Sequence, residues 1–183
     1  MKIVIIRHAK VLIKNKKIYA NELKKAIDEY DTAPIDTNIK NHQELLEVAN
    51  RYNYFVSSGL RRSVDSLALL GKEADYIDKI FAEVESPYTD KKIMKLSLFT
   101  WGFWFKLAWY MGFSCDAKSY QESKVEAFEA SKILIDLAKE HGSVMLMGHG
   151  LKNRLIATAL KKQGWIESKK MKMDNLDYGV FEK

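Results

Sequence analysis

Cysteine is almost absent from this sequence, and its scarcity removes two kinds of site. Cys115 is the only cysteine among 183 residues, so neither an internal disulfide framework nor a thiolate metal site is available. Arginine-rich blocks, aromatic–glycine RNA-binding signatures and zinc-finger spacing are also missing, and we therefore expect no nucleic-acid partner. The apolar run at the start is only about five residues long and has no cleavage-site pattern, unlike a signal peptide. We expect a cytoplasmic protein.

Length and composition favour one domain over residues 1–183. A chain of this length with 47% hydrophobic residues can bury one good core, and it contains no internal repeat, low-complexity tract or linker. The net charge of +6 favours anionic ligands in general. This charge is not specific, because most of the excess is lysine scattered through predicted helices.

Residues 2–9 join an apolar strand to two groups that can bind phosphate. Val4, Ile5 and Ile6 form the near-continuous apolar run that is typical of a parallel strand covered by helices on both faces. Arg7 and His8 follow directly. In such sheets the ligand crevice lies beyond the carboxyl ends of the strands, so these two residues stand at the expected place for a site.

Two later strand ends repeat this pattern. Residues 54–56 form a short apolar strand that runs into Ser57, Ser58 and Gly59, and the helix that follows carries Arg62 on its first turn. An anion there can be held by the arginine and by the helix N-terminus together. Residues 143–147 form another apolar strand, and His149 follows it between two glycines, immediately before a helix.

The three strand ends open on one edge of a doubly wound sheet, so their side chains can meet. Arg7, His8, Arg62 and His149 would then form an anion pocket. A metal site made of His8, His149 and Glu83 is the competing interpretation, since two histidines and a carboxylate can hold iron or zinc. It fits poorly, because each arginine would repel the metal by roughly 4 kcal/mol at about 4 Å and an effective dielectric near 20.

These residues resemble the histidine phosphatase superfamily, which is also called phosphoglycerate mutase-like. The resemblance runs in order, and with matching spacing, across nearly the whole chain. It is carried by Ile-Arg-His-Ala at 6–9, Ser-Ser-Gly-Leu-Arg-Arg-Ser at 57–63, Phe-Ala-Glu at 81–83 and Gly-His-Gly at 148–150. It implies an α/β protein of three layers, α/β/α, with a mostly parallel doubly wound sheet.

The resemblance also implies roles for individual residues. His8 is the expected nucleophile, Glu83 the expected proton donor, and His149 completes the catalytic set. The phosphate-binding positions fall on Arg7, Arg62, His149 and Gly150. Glu85 lies only two residues beyond Glu83 and remains an alternative proton donor. Small departures from the family pattern occur at Ala9, Lys10 and Ser66, and none of them removes a charged group from the pocket.

The expected function is that of a metal-independent phosphomonoesterase. It would hydrolyse a small phosphorylated substrate through a phosphohistidine intermediate, and this scheme requires neither a metal nor a cofactor. Two alternatives share the fold: a protein phosphohistidine phosphatase, and a phosphoglycerate-type mutase that returns the phosphoryl group to its substrate. A third alternative belongs to another class, namely a module that senses phosphate without turnover.

Residues 94–113 form an aromatic-rich segment within a predicted helical insertion at about 91–115. One stripe at helical spacing contains Trp101, Trp104, Phe105, Ala108 and Trp109, and a second contains Phe99, Phe103 and Leu107. A membrane span is not expected, because Lys106 would cost roughly 2.5 to 3.5 kcal/mol near a bilayer centre. The segment is therefore a core helix, a lid over the pocket or a partner surface.

Overall fold

The computed structural model describes residues 1–115, 117–172 and 174–183. Its strands are β1 (Lys2–Arg7), β2 (Lys17–Ile18), β3 (Tyr54–Ser57), β4 (Tyr76–Ile77), β5 (Leu96–Ser97), β6 (Ser143–Gly148), β7 (Ile166–Lys169) and β8 (Tyr178–Glu182). Its α-helices are α1 (Leu23–Thr32), α2 (His42–Ala49), α3 (Arg61–Leu69), α4 (Leu98–Tyr110), α5 (Tyr120–His141) and α6 (Gly150–Lys162), and short 3₁₀ turns lie at Ala20–Glu22 and Lys79–Phe81.

Six strands form the central sheet in the order β4-β3-β6-β1-β8-β7. The first four of these strands run parallel to one another, β8 pairs antiparallel with β1, and β7 pairs antiparallel with β8 at the edge. The α/β class with a mostly parallel sheet is therefore as the sequence predicts. β2 and β5 pair with each other outside this sheet, and strands of two residues are too short to show a periodic pattern.

The strand β1 has an apolar side chain at every central position because helices cover both sheet faces. Ile3 and Ile5 lie on one face, within a cluster that includes residues of α5 and α6. Val4 and Ile6 lie on the other face, with residues of α2 and α3. All four are fully buried, and the result is the expected three-layer arrangement of helices, sheet and helices.

The aromatic segment forms α4, which packs against a cluster separate from the main sheet. Ser97 caps the helix by accepting a hydrogen bond from the Thr100 backbone N–H at 3.1 Å. Trp101, Phe105 and Trp109 are buried at intervals of four residues, and the Trp101 indole donates to the Ile18 carbonyl at 3.0 Å. In the described ranges, no helix is both long enough and apolar enough to span a membrane.

The two predicted stripes of α4 behave differently. Three members of the first stripe are buried, but Trp104 is 52% exposed. Phe99 and Phe103 of the second stripe are 56% and 62% exposed. Side chains of this size rarely stay in water without a reason, so this face of α4 is a candidate for contact with a ligand or partner.

Candidate active site

The parallel register brings the three predicted strand ends to one edge of the sheet. Arg7 is aligned with Gly148 across β1 and β6, and Ser57 is aligned with Met147 across β3 and β6. The residues that follow these strands are therefore neighbours, and the rings of His8 and His149 lie 5.1 Å apart between centroids.

His8 is held as a neutral ring with one nitrogen left available. It is 2% exposed, and its backbone N–H donates to the Gly148 carbonyl at 3.0 Å. Nδ1 lies 2.7 Å from the carbonyl of Ala9, which can only accept, so Nδ1 carries the proton and Nε2 has the lone pair. Burial lowers the pKa of His8 from 6.5 to about 4; the Ala9 hydrogen bond opposes this shift, and the charges of Arg62 and Arg7 add to it.

His149 occupies the residue between β6 and α6 and is fully buried. Its Nε2 lies 2.7 Å from the Ser58 hydroxyl, whereas no described residue bonds its Nδ1. Asn153, one helical turn later, accepts from the His149 backbone N–H at 3.1 Å and donates to the Ile6 carbonyl at 3.0 Å. Burial, followed by the charge of Arg62, holds the pKa of His149 well below its usual value.

Arg62 lies on the first turn of α3 and is 3% exposed. Its Nη1 donates to Asp31 of α1 at 2.5 Å, and its guanidinium carbon lies 5.2 Å from the centre of the Tyr30 ring. Nε of Arg62 is buried and has no bonding partner within the described chain. Ser66 connects this turn to the loop that follows His8, because its hydroxyl donates to the Arg62 carbonyl and accepts from the Ala9 N–H at 2.9 Å.

Glu83 lies at the N-terminus of α6. Its carboxylate accepts from the backbone N–H groups of Lys152 and Leu151 at 3.1 and 3.3 Å. A Cβ added at Gly150 would stand 3.4 Å from Nε of Arg7 and 3.6 Å from Oε2 of Glu83. The guanidinium of Arg7 and this carboxylate therefore both lie close to Gly150. Glu85, the alternative, is exposed.

The structure thus gathers Arg7, His8, Arg62, His149, Glu83 and Gly150 around one edge of the sheet. Three contributors were not assigned to the site from the sequence. Asp31 pairs with Arg62, but no sequence pattern around it indicates this, since the pairing depends on how α1 packs against α3. Asn153 could have been found, because it follows His149 by one helical turn. Asn175 donates to the His8 carbonyl at 2.8 Å from 167 residues away.

Within the part of the chain that the structure describes, no group of three or more histidine, cysteine, aspartate or glutamate side chains is arranged to hold a metal ion. This holds also for the competing metal-ligand set, which consists of His8, His149 and Glu83. The cationic groups at this edge instead favour an anion.

Comparison with known proteins identifies the fold. No family model and no curated protein matches the sequence. Among solved structures, a mycobacterial glucosyl-3-phosphoglycerate phosphatase superposes with a TM-score of 0.59 at 15% identity, covering 98% of this chain and 88% of that one. A phosphoserine phosphatase mutant from Entamoeba histolytica, in complex with phosphoserine, gives 0.60 at 13% identity and covers 99% and 90%.

A third structure, from an open reading frame of Mycobacterium tuberculosis, gives a TM-score of 0.62 at 12% identity and covers 98% of this chain and 89% of that one. These neighbours include members of the histidine phosphatase superfamily. The chain has their fold, so the phosphoglycerate mutase-like architecture that the four motifs predict is confirmed.

Proposed function

We propose that the protein is a metal-independent phosphomonoesterase that hydrolyses a small phosphorylated substrate through a phosphohistidine on His8. One observation carries this proposal: a buried, neutral His8 has an unprotonated Nε2 while Arg7, Arg62 and His149 surround it. A neutral imidazole can attack phosphorus, and the neighbouring cations favour the phosphoryl dianion that it would attack.

In the first step, Nε2 of His8 attacks phosphorus in line with the ester oxygen. The N–P bond forms as the O–P ester bond breaks, and Nδ1–H remains bonded to the Ala9 carbonyl, which stabilises the developing positive charge. Arg7 and Arg62 neutralise the equatorial oxygens, which is the main contribution a protein makes to phosphoryl transfer. The unpartnered Nε of Arg62 and Nδ1 of His149 provide donor positions for these oxygens.

Glu83 is the proposed proton donor to the departing oxygen. Its protonated carboxyl group would give its proton to that oxygen and become a carboxylate, which the backbone N–H groups of Leu151 and Lys152 can stabilise. The Arg7 guanidinium and this carboxyl group both lie near Gly150. General acid catalysis of this kind typically contributes about 10²- to 10⁴-fold. In the second step, water attacks the phosphohistidine, its proton passes to Glu83, and the N–P bond breaks to release phosphate and restore His8.

Hydrolysis of 4-nitrophenyl phosphate, combined with acid-free trapping of the phosphoenzyme, tests this proposal. The wild type should release phosphate in the presence of a chelator and form an acid-labile, base-stable phosphoenzyme. His8→Ala should remove both signals, whereas the exposed His42→Ala control should keep them.

Three other results would overturn the proposal in distinct ways. Vanadate binding without turnover would indicate a phosphate sensor. Return of the phosphoryl group to an added alcohol in preference to water would indicate a mutase. Activity lost to the chelator and restored by one divalent metal would indicate a metalloenzyme.

A further inference from the structure

A cavity of about 410 Å³ lies between α1 and α4 and opens beside the proposed phosphate site. Arg7 forms one end of it. The remaining lining is mostly apolar and comes from both helices: Leu23, Ile27, Tyr30, Leu98, Phe99 and Phe103. Ser86, Gly102 and Lys106 complete the wall. Apart from Arg7, the chemistry proposed above uses none of the residues that line this cavity.

The cavity and the phosphate site share side chains. Arg7 lines the cavity and also lies, like Glu83, next to Gly150. Tyr30 lines the cavity, while its ring faces the guanidinium of Arg62 at 5.2 Å. A phosphoryl group held by the two arginines would therefore have its ester oxygen at the entrance of this cavity.

The wall formed by α4 is apolar and is not filled by protein. Phe99 and Phe103 keep more than half of their surface exposed. Gly102 lies between them, and a Cβ placed there would have no atom within 4 Å. Two exposed aromatic rings on either side of an open glycine form a surface that can bury an apolar group of a ligand and so remove it from water.

Lys106 places a positive charge at the same wall. It follows Gly102 by four residues, so it lies one turn further along the same face of α4. Its side chain is half-buried, and within the described ranges it forms no salt bridge. It also lines a small crevice with Leu151 on the first turn of α6. Glu85 also lines that crevice but forms no ion pair with Lys106, so the ammonium can pair with a second anionic group on a ligand.

We propose that this cavity is the leaving-group subsite, and that the substrate is a phosphomonoester whose alcohol part is apolar and carries a second anionic group for Lys106. This inference rests on the proposed phosphatase activity and narrows its substrate class. Phe99, Phe103 and Tyr30 would contact the apolar part, and Lys106 would pair with the anion at its far end.

Three primary alkyl phosphates with similar leaving-group basicity test the subsite: ethyl phosphate, 3-phenylpropyl phosphate and 3-(4-carboxyphenyl)propyl phosphate. For the wild type, kcat/KM should rise on the order of 10-fold from the first to the second, as expected for filling an apolar pocket. The carboxylate should add a further gain of about 2- to 5-fold through Lys106.

Variants separate the two contributions. Phe103→Ala should reduce the preference for 3-phenylpropyl over ethyl phosphate, and Lys106→Gln should remove only the gain from the carboxylate. Phe113→Ala is the matched control, because Phe113 is also an exposed phenylalanine, at 43%, but lines a different cavity. It should leave all ratios unchanged.

Failure of this inference is distinguishable from failure of the proposed function. If the wild type does not hydrolyse 4-nitrophenyl phosphate, the phosphatase proposal fails. If the wild type hydrolyses it but treats the three alkyl phosphates alike, the subsite is wrong while the chemistry stands. The subsite is also wrong if Lys106→Gln slows the neutral and carboxylated phenylpropyl esters equally, or if Phe113→Ala changes the ratios as much as Phe103→Ala.

Discussion

Mild acid should destabilise the folded protein through His8, and replacing that residue with glutamine should remove the effect. The folded state keeps His8 neutral, because burial lowers its pKa from 6.5 to about 4. The unfolded chain releases the ring into water, where it takes a proton below pH 6.5. As pH falls from 6.5 towards 4, the unfolded state therefore binds more protons than the folded state, and the free energy of unfolding decreases.

The size of the effect follows from the two pKa values. Each pH unit over which only the unfolded state is protonated costs about 1.4 kcal/mol. At pH 5 the solution lies about 1.5 units below the pKa of His8 in the unfolded chain and still above its pKa in the folded protein. His8 alone should therefore lower the free energy of unfolding by about 2 kcal/mol at this pH. The pKa of His149 is lowered in the same direction, so the wild type should lose more than this amount in total.

Urea unfolding followed by tryptophan fluorescence, at pH 7 and pH 5, measures the loss directly. The loss in His8→Gln should be smaller than in the wild type by about 2 kcal/mol. The comparison cancels contributions from carboxylates, which are present in both proteins. His42→Gln, at an exposed position, should follow the wild type. If His8→Gln loses as much stability as the wild type between these pH values, His8 is not a buried neutral base, and the nucleophile assignment loses its physical basis.

Three further predictions concern the surroundings of the histidines. Glu83→Gln should slow alkyl phosphates much more than aryl phosphates in leaving-group assays, because acid catalysis helps the more basic leaving oxygen; selective loss in Glu85→Gln would instead move the role two residues along. Gly148→Ala would place a Cβ 2.1 Å from Oδ1 of Asn153 and so break the buried hydrogen bonds of the Asn153 side chain. The free energy of unfolding measured in urea should fall by about 2 to 4 kcal/mol; a smaller change would show that the Asn153 side chain can move aside. Asp31→Asn removes a negative charge beside Arg62, so the inhibition constant for vanadate should fall on the order of five-fold. Weaker inhibition would mean that the charge of Asp31 is needed to position the guanidinium of Arg62.

The clustering of the candidate site residues could be predicted from the sequence because each part of the candidate site has a local pattern. Val4 to Ile6 form an apolar run that ends in Arg7 and His8, and the other two strand ends repeat this form. The general rule that ligands bind beyond the carboxyl ends of parallel strands then places all three together. The register of β1, β3 and β6 agrees with that rule.

The partners of these residues could not be predicted in the same way. Asp31 belongs to an ordinary amphipathic helix, and only the packing of α1 against α3 makes it a partner of Arg62. The face of α4 that packs against the protein could not be predicted either. The sequence of a helix that is apolar on most sides does not indicate which stripe is buried. The predicted stripe that contains Trp104 therefore includes both exposed and buried side chains. The sequence also did not predict that Phe99 and Phe103 line a cavity.

The histidines and the wall of the cavity stand on parts of the fold that should open at different free energies. β1, β3 and β6 are covered on both faces, so their amides should exchange hydrogen only when the whole sheet unfolds. α4 is anchored mainly through Trp101, Phe105 and Trp109, outside that sheet, and can detach by a smaller fluctuation. Warming or dilute urea should therefore detach α4 first. Under those conditions the enzyme should lose its discrimination among leaving groups before it loses its activity.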